Sequence, residues 1–186
     1  MVRVFNRFIE LLESRFNQDV HTTEDSIRYT FFYALNNVLN IDPSDVVLEF
    51  PFNVGSKLDC YLPNYYTGFE FKYHRRGNVD ADRTGQAGSV FKDIFRLKRF
   101  VDESKLLRFL IYITDGEMGD YFQNQANRLN DFFSLNVNER LTIDDAYVNS
   151  HADTFINAAG DVIECDVINC VKYDNHNLYV RIFRII

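Results

Sequence analysis

Two acidic residues and one lysine have the types and spacing that could do chemistry in this chain. They are Asp59, Glu70 and Lys72, and each lies in a short run rich in apolar residues. Carboxylate oxygens are the ligands that Mg²⁺ and Mn²⁺ take in proteins. A metal ion held there lowers the pKa of a bound water, and a neighbouring ammonium can orient that water or stabilise an oxyanion. The three residues therefore predict metal-assisted hydrolysis of a phosphodiester.

The pairing of two strands is expected to bring these residues together. The two runs are predicted as strands of a hairpin whose loop is formed by residues 63–66. In that hairpin Leu62 pairs with Thr67, and antiparallel register places Asp59 opposite Glu70. The lysine two residues further on lies on the same face, because side chains alternate along a strand. Two carboxylates so placed repel each other unless a cation lies between them.

The rest of the chain is predicted as alternating helices and strands. Apolar periodicity predicts helices over residues 4–16 and 22–39, strands over 46–52, 57–62 and 67–73, a helix over 83–103, a buried strand over 107–113, a helix over 117–133, and a C-terminal β hairpin formed by 162–171 and 178–185. In the first of these strands, four apolar residues at every second position, from Val46 to Phe52, predict one half-buried face. This order indicates a single α/β domain over residues 1–186, with a mixed β-sheet flanked by helices. The core is expected over 22–114 and an accessory region over 136–186.

The spacing of Asp59, ten intervening residues and then Glu70-Phe71-Lys72 resembles the motif of the PD-(D/E)XK nuclease superfamily. The resemblance covers about half of the chain, since residues 22–114 follow the α-β-β-β-α-β order of that restriction-endonuclease-like fold. It implies that Asp59 and Glu70 bind a metal ion through their side chains and Phe71 through its carbonyl oxygen. It also implies that Lys72 is the catalytic lysine.

The same resemblance implies two further site residues and has one clear departure. Glu24 matches an acidic residue that many members carry on the helix before the sheet, and Gln86 lies where members often place a Gln or basic residue facing the site. Leu58 stands where the nominal motif has Pro. The residues match no subfamily motif, so the biological substrate stays open.

The charge of the chain is unevenly distributed. The net charge is −7, which argues against a nucleic-acid partner for the chain as a whole. Residues 72–108, however, hold half of the 20 Lys and Arg residues. Because this segment directly follows the candidate lysine, we expect it to present a phosphate-binding surface. The residues predicted for that surface are Arg75, Arg76, Arg83, Lys92, Arg96, Lys98 and Arg99.

Other features of the sequence exclude several classes of protein. The apolar runs are too short for a membrane-spanning helix, and the N-terminus lacks the apolar core of a secretory signal. The three Cys form no CxxC pair and the four His are scattered, so neither a disulfide framework nor a structural zinc site is predicted. A reducing cytoplasm is the expected location.

The leading hypothesis is therefore an endonuclease that depends on Mg²⁺ or Mn²⁺ and acts on DNA rather than RNA. The resemblance also implies a homodimer, because each site of such an enzyme cuts one strand of a duplex. Two alternatives stay open. One is a catalytically inactive nuclease-fold module that binds nucleic acid or protein. The other is an ordinary α/β domain with an accidental motif, in which Asp59 and Glu70 lie too far apart to share one metal ion.

Overall fold

The computed structural model describes residues 1–53, 56–75, 82–100, 106–175 and 178–186, and these form one α/β fold around a single mixed sheet. The helices are α1 Val2–Asn17, α2 Glu24–Leu39, α3 Arg83–Arg99, α4 Gly116–Gln123, α5 Asn130–Phe133, α6 Asp145–Asn149 and α7 Asp153–Ala159. The strands are β1 Val47–Asn53, β2 Ser56–Leu62, β3 Thr67–His74, β4 Leu107–Thr114, β5 Arg140–Ile143, β6 Cys165–Asn175 and β7 Leu178–Ile185. The predicted α/β class with a mixed sheet is confirmed.

The sheet has the strand order β1-β2-β3-β4-β7-β6-β5. β3 and β4 are parallel, and the other neighbouring strands pair antiparallel. A parallel pair needs a crossover connection, and α3 lies in that connection: it follows β3 in the chain, packs on both strands and precedes β4. The predicted order of elements over 22–114 is therefore observed from α2 to β4. None of the helices in the described ranges has the length and apolar character of a membrane span.

Two separate apolar layers fix the direction in which β3 presents its side chains. α1 and α2 cover one face, where the Phe31 ring lies 4.9 Å from Phe69 and 5.3 Å from Phe71 between ring centroids. The helices α3 to α7 cover the other face. Since side chains alternate along a strand, Glu70 and Lys72 are presented toward α3.

The start of α2 is fixed by local hydrogen bonds. Thr23 is the N-cap, and its hydroxyl accepts the Ser26 N–H while the Ser26 hydroxyl accepts the Thr23 N–H, which makes a capping box. Glu24 and Asp25 follow in the first turn, where their negative charges interact favourably with the positive end of the helix dipole. This cap sets the position of Glu24 relative to the sheet.

The prediction that every second residue of β1 shares one face is wrong. Val46 packs in the α1–α2 layer, whereas Phe50 and Phe52 pack in the α3 layer. The change occurs at Glu49, whose φ of 48° is in the left-handed region and interrupts the regular alternation.

The helix predicted over 117–133 is also wrong, because it is divided into α4, a short 3₁₀ turn and α5. The Asn124 side chain accepts the Ala126 N–H, and Arg128 has a φ of 57°, so the chain turns there instead of continuing as a helix. The predicted C-terminal hairpin is confirmed as β6 and β7, whereas β5, α6 and α7 were not predicted. α3 ends at Arg99, where the predicted helix continues to 103: Phe100 is the C-cap and has an extended backbone, and residues 101–103 lie outside the described residues.

The packing of α3 against α7 depends on a glycine. A Cβ atom at Gly88 would lie 2.4 Å from the Phe155 carbonyl oxygen and 2.8 Å from the Ala158 Cβ. We expect Gly88→Ala to lower the free energy of unfolding by about 1–3 kcal/mol, because α7 must move away. Urea denaturation would measure this. Lys92→Ala, on the exposed side of the same helix, is the control and should change stability by less than about 0.5 kcal/mol. Equal stability of the two variants would contradict the packing described.

Candidate functional site

Asp59 lies where β2 and β3 stop pairing. The strands pair from Leu62 with Thr67 to Cys60 with Phe69, as the register predicted. The next residue of β2 is Asp59, and its Oδ2 accepts the main-chain N–H of Phe71 at 2.8 Å. A carboxylate thus replaces the main-chain hydrogen bonds of the ladder at this point.

The alternation of β2 is interrupted at the same residue. Leu58 and Tyr61 pack on the α3 side of the sheet, whereas Cys60 packs on the α2 side. Leu58 and Cys60 share a face in a regular strand, so the backbone twists between them. The Asp59 carboxylate therefore lies in the gap between the two strands. It contacts Arg28 of α2 on one side of the sheet and interacts with Glu70, whose side chain is on the α3 side.

Glu70 is the most buried member of the site. Its side chain is 0% exposed, and its Oε1 is buried without a hydrogen-bond partner in the described part of the chain. Burial raises the pKa of the Glu70 carboxyl well above its usual value, and the neighbouring Asp59 charge raises this pKa further. The Asp59 and Glu70 carboxyl groups therefore interact electrostatically.

α3 supplies two charged residues beneath Glu70. Arg96 binds Glu70 through its Nη2, and the same nitrogen lies 3.0 Å from Asp93 Oδ1. The other Asp93 oxygen lies 3.2 Å from Lys72 Nζ. Asp93 is nearly buried, and burial raises the pKa of its carboxyl while Lys72 and Arg96 lower it. Asp93 thus joins Lys72 to Arg96, which in turn binds Glu70.

α2 supplies a second carboxylate and an arginine from the opposite layer. Arg28 Nη2 lies 2.8 Å from Glu24 Oε1 and 2.8 Å from Asp59 Oδ1. The other Glu24 oxygen accepts the Tyr73 N–H at 3.2 Å. Burial raises the pKa of Glu24, and the Asp59 charge adds to the rise. Glu24 is therefore connected to Asp59 through the shared Arg28 and to β3 through the Tyr73 N–H.

Together these residues form one charged cluster. We call Glu24, Asp59, Glu70 and Asp93 the acidic cluster. Three cationic side chains, Arg28, Lys72 and Arg96, are bound to it. The four carboxyl groups outnumber the three cations, so the cluster attracts a further cation when all four are ionised.

A Mg²⁺ or Mn²⁺ ion fits one part of this cluster. Within the described residues, no group of three or more His, Cys, Asp or Glu side chains is arranged as a ready metal site. Arg28 and Arg96 are bound to Glu24 and Asp93, respectively. Asp59 and Glu70 are nevertheless adjacent oxygen donors, and the unpartnered Glu70 Oε1 lacks the positive partner that a buried carboxylate oxygen needs. The donor chemistry fits a hard divalent cation.

The other predicted site residue, Gln86, lies on the helix that carries Asp93 and Arg96. Gln86 is half-buried and lies two turns before Asp93, so the two residues share a face of the helix. Phe71 contributes its main chain to the site through the bond to Asp59, and its ring packs in the α1–α2 layer.

The predicted phosphate-binding residues are distributed over different surroundings. Those that are exposed are Arg75, Arg83, Lys92 and Arg99. Lys98 is partly exposed, and Arg76 lies outside the described residues. Arg96 lies in the cluster itself, where its guanidinium is bound to carboxylates. A phosphate-binding role for the exposed set stays a prediction.

His74 lies at the end of β3 but does not serve as a proton donor at neutral pH. Its Nδ1 lies 3.1 Å from the Tyr112 hydroxyl oxygen, and the two rings are packed edge to face. Burial, followed by the Lys72 charge, lowers the pKa of His74 to about 4. The imidazole is therefore neutral and structural near pH 7.

His74 predicts a loss of stability in acid. Its folded pKa of about 4 is below the unfolded value of 6.5, so the unfolded chain takes up the proton first as the pH falls. The neutral His74 side chain makes its full contribution to folding stability above pH 6.5, and this contribution is lost as the pH falls toward 4. The loss amounts to about 3 kcal/mol of unfolding free energy. Urea denaturation across this range should show a shallower acid slope for His74→Gln than for the unmodified protein. Identical slopes would contradict a neutral buried imidazole.

Three residues of the cluster were not predicted in their observed roles. Arg28 lies four residues after Glu24, a spacing that indicates an ion pair along a helix, so this contact had a detectable signal. Asp93 and Arg96 meet β3 only because α3 crosses the sheet at one particular angle and depth. No sequence spacing encodes that contact.

Comparisons of the chain with protein-family models, curated proteins and solved structures find no match. The functional conclusion therefore depends on the contacts of the cluster and on the order of the elements around it.

Proposed function

We propose that the chain is a divalent-metal-dependent endonuclease of the PD-(D/E)XK type that hydrolyses phosphodiester bonds in DNA. The observation that carries this proposal is the buried, unpartnered Oε1 of Glu70 beside Asp59, with Lys72 two residues further along the same strand. Two neighbouring buried carboxylates are costly to ionise unless a cation lies beside them. Metal-assisted phosphodiester hydrolysis uses both carboxylates and the lysine.

The topology supports a restriction-endonuclease-like core. The antiparallel β1-β2-β3 segment is followed by α3 and by β4, which lies parallel to β3. This matches the α-β-β-β-α-β order that the motif implies, which supports the proposal. The remaining strands extend the sheet beyond β4.

The side chains of the cluster have distinct roles in the proposed reaction. A bound Mg²⁺ or Mn²⁺ supplies a water of lowered pKa and neutralises charge on the phosphate. Asp59, Glu70 and the Phe71 carbonyl oxygen would hold that ion, with Glu24 beside them. The Lys72 ammonium orients the attacking water and stabilises negative charge that develops on the phosphate oxygens. Asp93 holds Lys72 in place.

One observation favours the second candidate, an inactive module of the same fold that binds nucleic acid or protein. Arg28 and Arg96 already bind carboxylates of the acidic cluster, so a folded state without metal has most of its charges paired. Such a module would bind without turnover. Cleavage assays distinguish the two candidates directly.

The test of the proposed function is cleavage of supercoiled and linear DNA with Mg²⁺ or Mn²⁺. We expect Lys72→Ala to reduce the cleavage rate by about 10²-fold or more, because it removes a donor aimed at developing charge. Lys57→Ala is the matched control, since this lysine lies on β2 but is exposed and pairs with Glu49. Its cleavage rate should be unchanged. Cleavage by Lys72→Ala at the unmodified rate would overturn the mechanism, and DNA binding without any cleavage would favour the inactive module.

A further inference from the structure

Arg28 occupies the position of a cation between two carboxylates from different elements. A single nitrogen, Nη2, lies 2.8 Å from Glu24 on α2 and 2.8 Å from Asp59 on β2. This guanidinium therefore neutralises two of the oxygen donors that the proposed function assigns to a metal ion.

Arg96 repeats this arrangement on the other face of the sheet. Its Nη2 bridges Glu70 on β3 and Asp93 on α3. Each of the two ligand carboxylates, Asp59 and Glu70, is thus bound by one arginine. The two arginines approach the gap from opposite layers.

Both arginines are bound in a way that favours displacement. Strong Arg–carboxylate pairs are bidentate, with two parallel N–H donors on one carboxylate. Neither arginine is bidentate on one carboxylate: the Nη2 of each bridges two carboxylates, and Arg28 Nη1 lies 3.3 Å from a third, the exposed Asp25. The Nε of each arginine is buried without a partner in the described ranges. The side chains remain 23% and 31% exposed, so a path to solvent is open.

We propose that Arg28 and Arg96 are internal counter-cations, which a divalent metal ion displaces and which then bind the phosphodiester of the substrate. This inference rests on the proposed function and assigns it two positioning residues outside the motif. In the metal-free cluster both guanidinium groups are bound to carboxylates, so neither is free to bind a phosphate.

A divalent ion adds two positive charges to the cluster. This change favours the approach of a negatively charged phosphodiester. The displaced guanidinium groups are planar donors suited to phosphate oxygens, and they remain attached beside the site. Metal binding therefore precedes substrate binding in this scheme.

The experiment measures two affinities in the same variants. Calorimetry with Mn²⁺ alone should give about tenfold tighter binding for Arg28→Gln and Arg96→Gln than for the unmodified chain, since a competing cation is absent. Fluorescence anisotropy with duplex DNA and saturating Mn²⁺, in a Lys72→Ala background, should give about tenfold weaker DNA binding for the same variants. Arg7→Gln, on the exposed side of α1, is the control and should change neither affinity.

The opposite signs of the two effects distinguish this proposal from a structural role. Weaker Mn²⁺ binding in the variants, or unchanged DNA binding, would overturn the counter-cation proposal while leaving the proposed function intact. If the Gln variant of Arg28 does not fold, Arg28→Lys keeps the charge but bridges the two carboxylates less well, and it should also bind Mn²⁺ more tightly. Absence of Mn²⁺ binding in the unmodified chain and in every variant would overturn both proposals.

Discussion

The structure depends on one electrostatic constraint, which is the placement of Asp59 beside the buried Glu70. The constraint arises where β2 and β3 separate after three residue pairs, because the Asp59 side chain then takes the Phe71 N–H that a strand would otherwise pair. Two neighbouring carboxylates in a buried gap need positive charge, and burial and mutual repulsion both raise the pKa of Glu70. The surrounding elements supply that charge.

The two helical layers bring complementary charges to the gap while remaining apolar elsewhere. α2 packs Phe31 on the sheet and delivers Glu24 and Arg28 at its capped first turns, and α3 delivers Asp93 and Arg96 at its middle. The apolar contacts fix the helices, and the helices then fix the ion pairs. The stability of the layers and the geometry of the charged cluster are therefore coupled.

Much of this arrangement follows from local sequence, and the rest does not. The hairpin register was predictable because a four-residue loop determines which residues face each other, and Glu24 was predictable from its place at a helix start. The face reversal at Glu49 and the turn at Asn124 depend on single backbone conformations that apolar periodicity does not report. The contacts of Asp93 and Arg96 depend on how α3 crosses the sheet, which is set by packing across the whole core.

The central claim is that the Asp59–Glu70 pair is a divalent-cation site. The most direct test is a crystal structure of the unmodified chain grown with Mn²⁺, with diffraction data recorded at a wavelength that gives a strong manganese anomalous signal. The account predicts an anomalous peak between these two carboxylates, with Glu70 Oε1 among the ligands. Absence of a peak at saturating Mn²⁺, with Arg28 and Arg96 still bound to the same carboxylates, would contradict it.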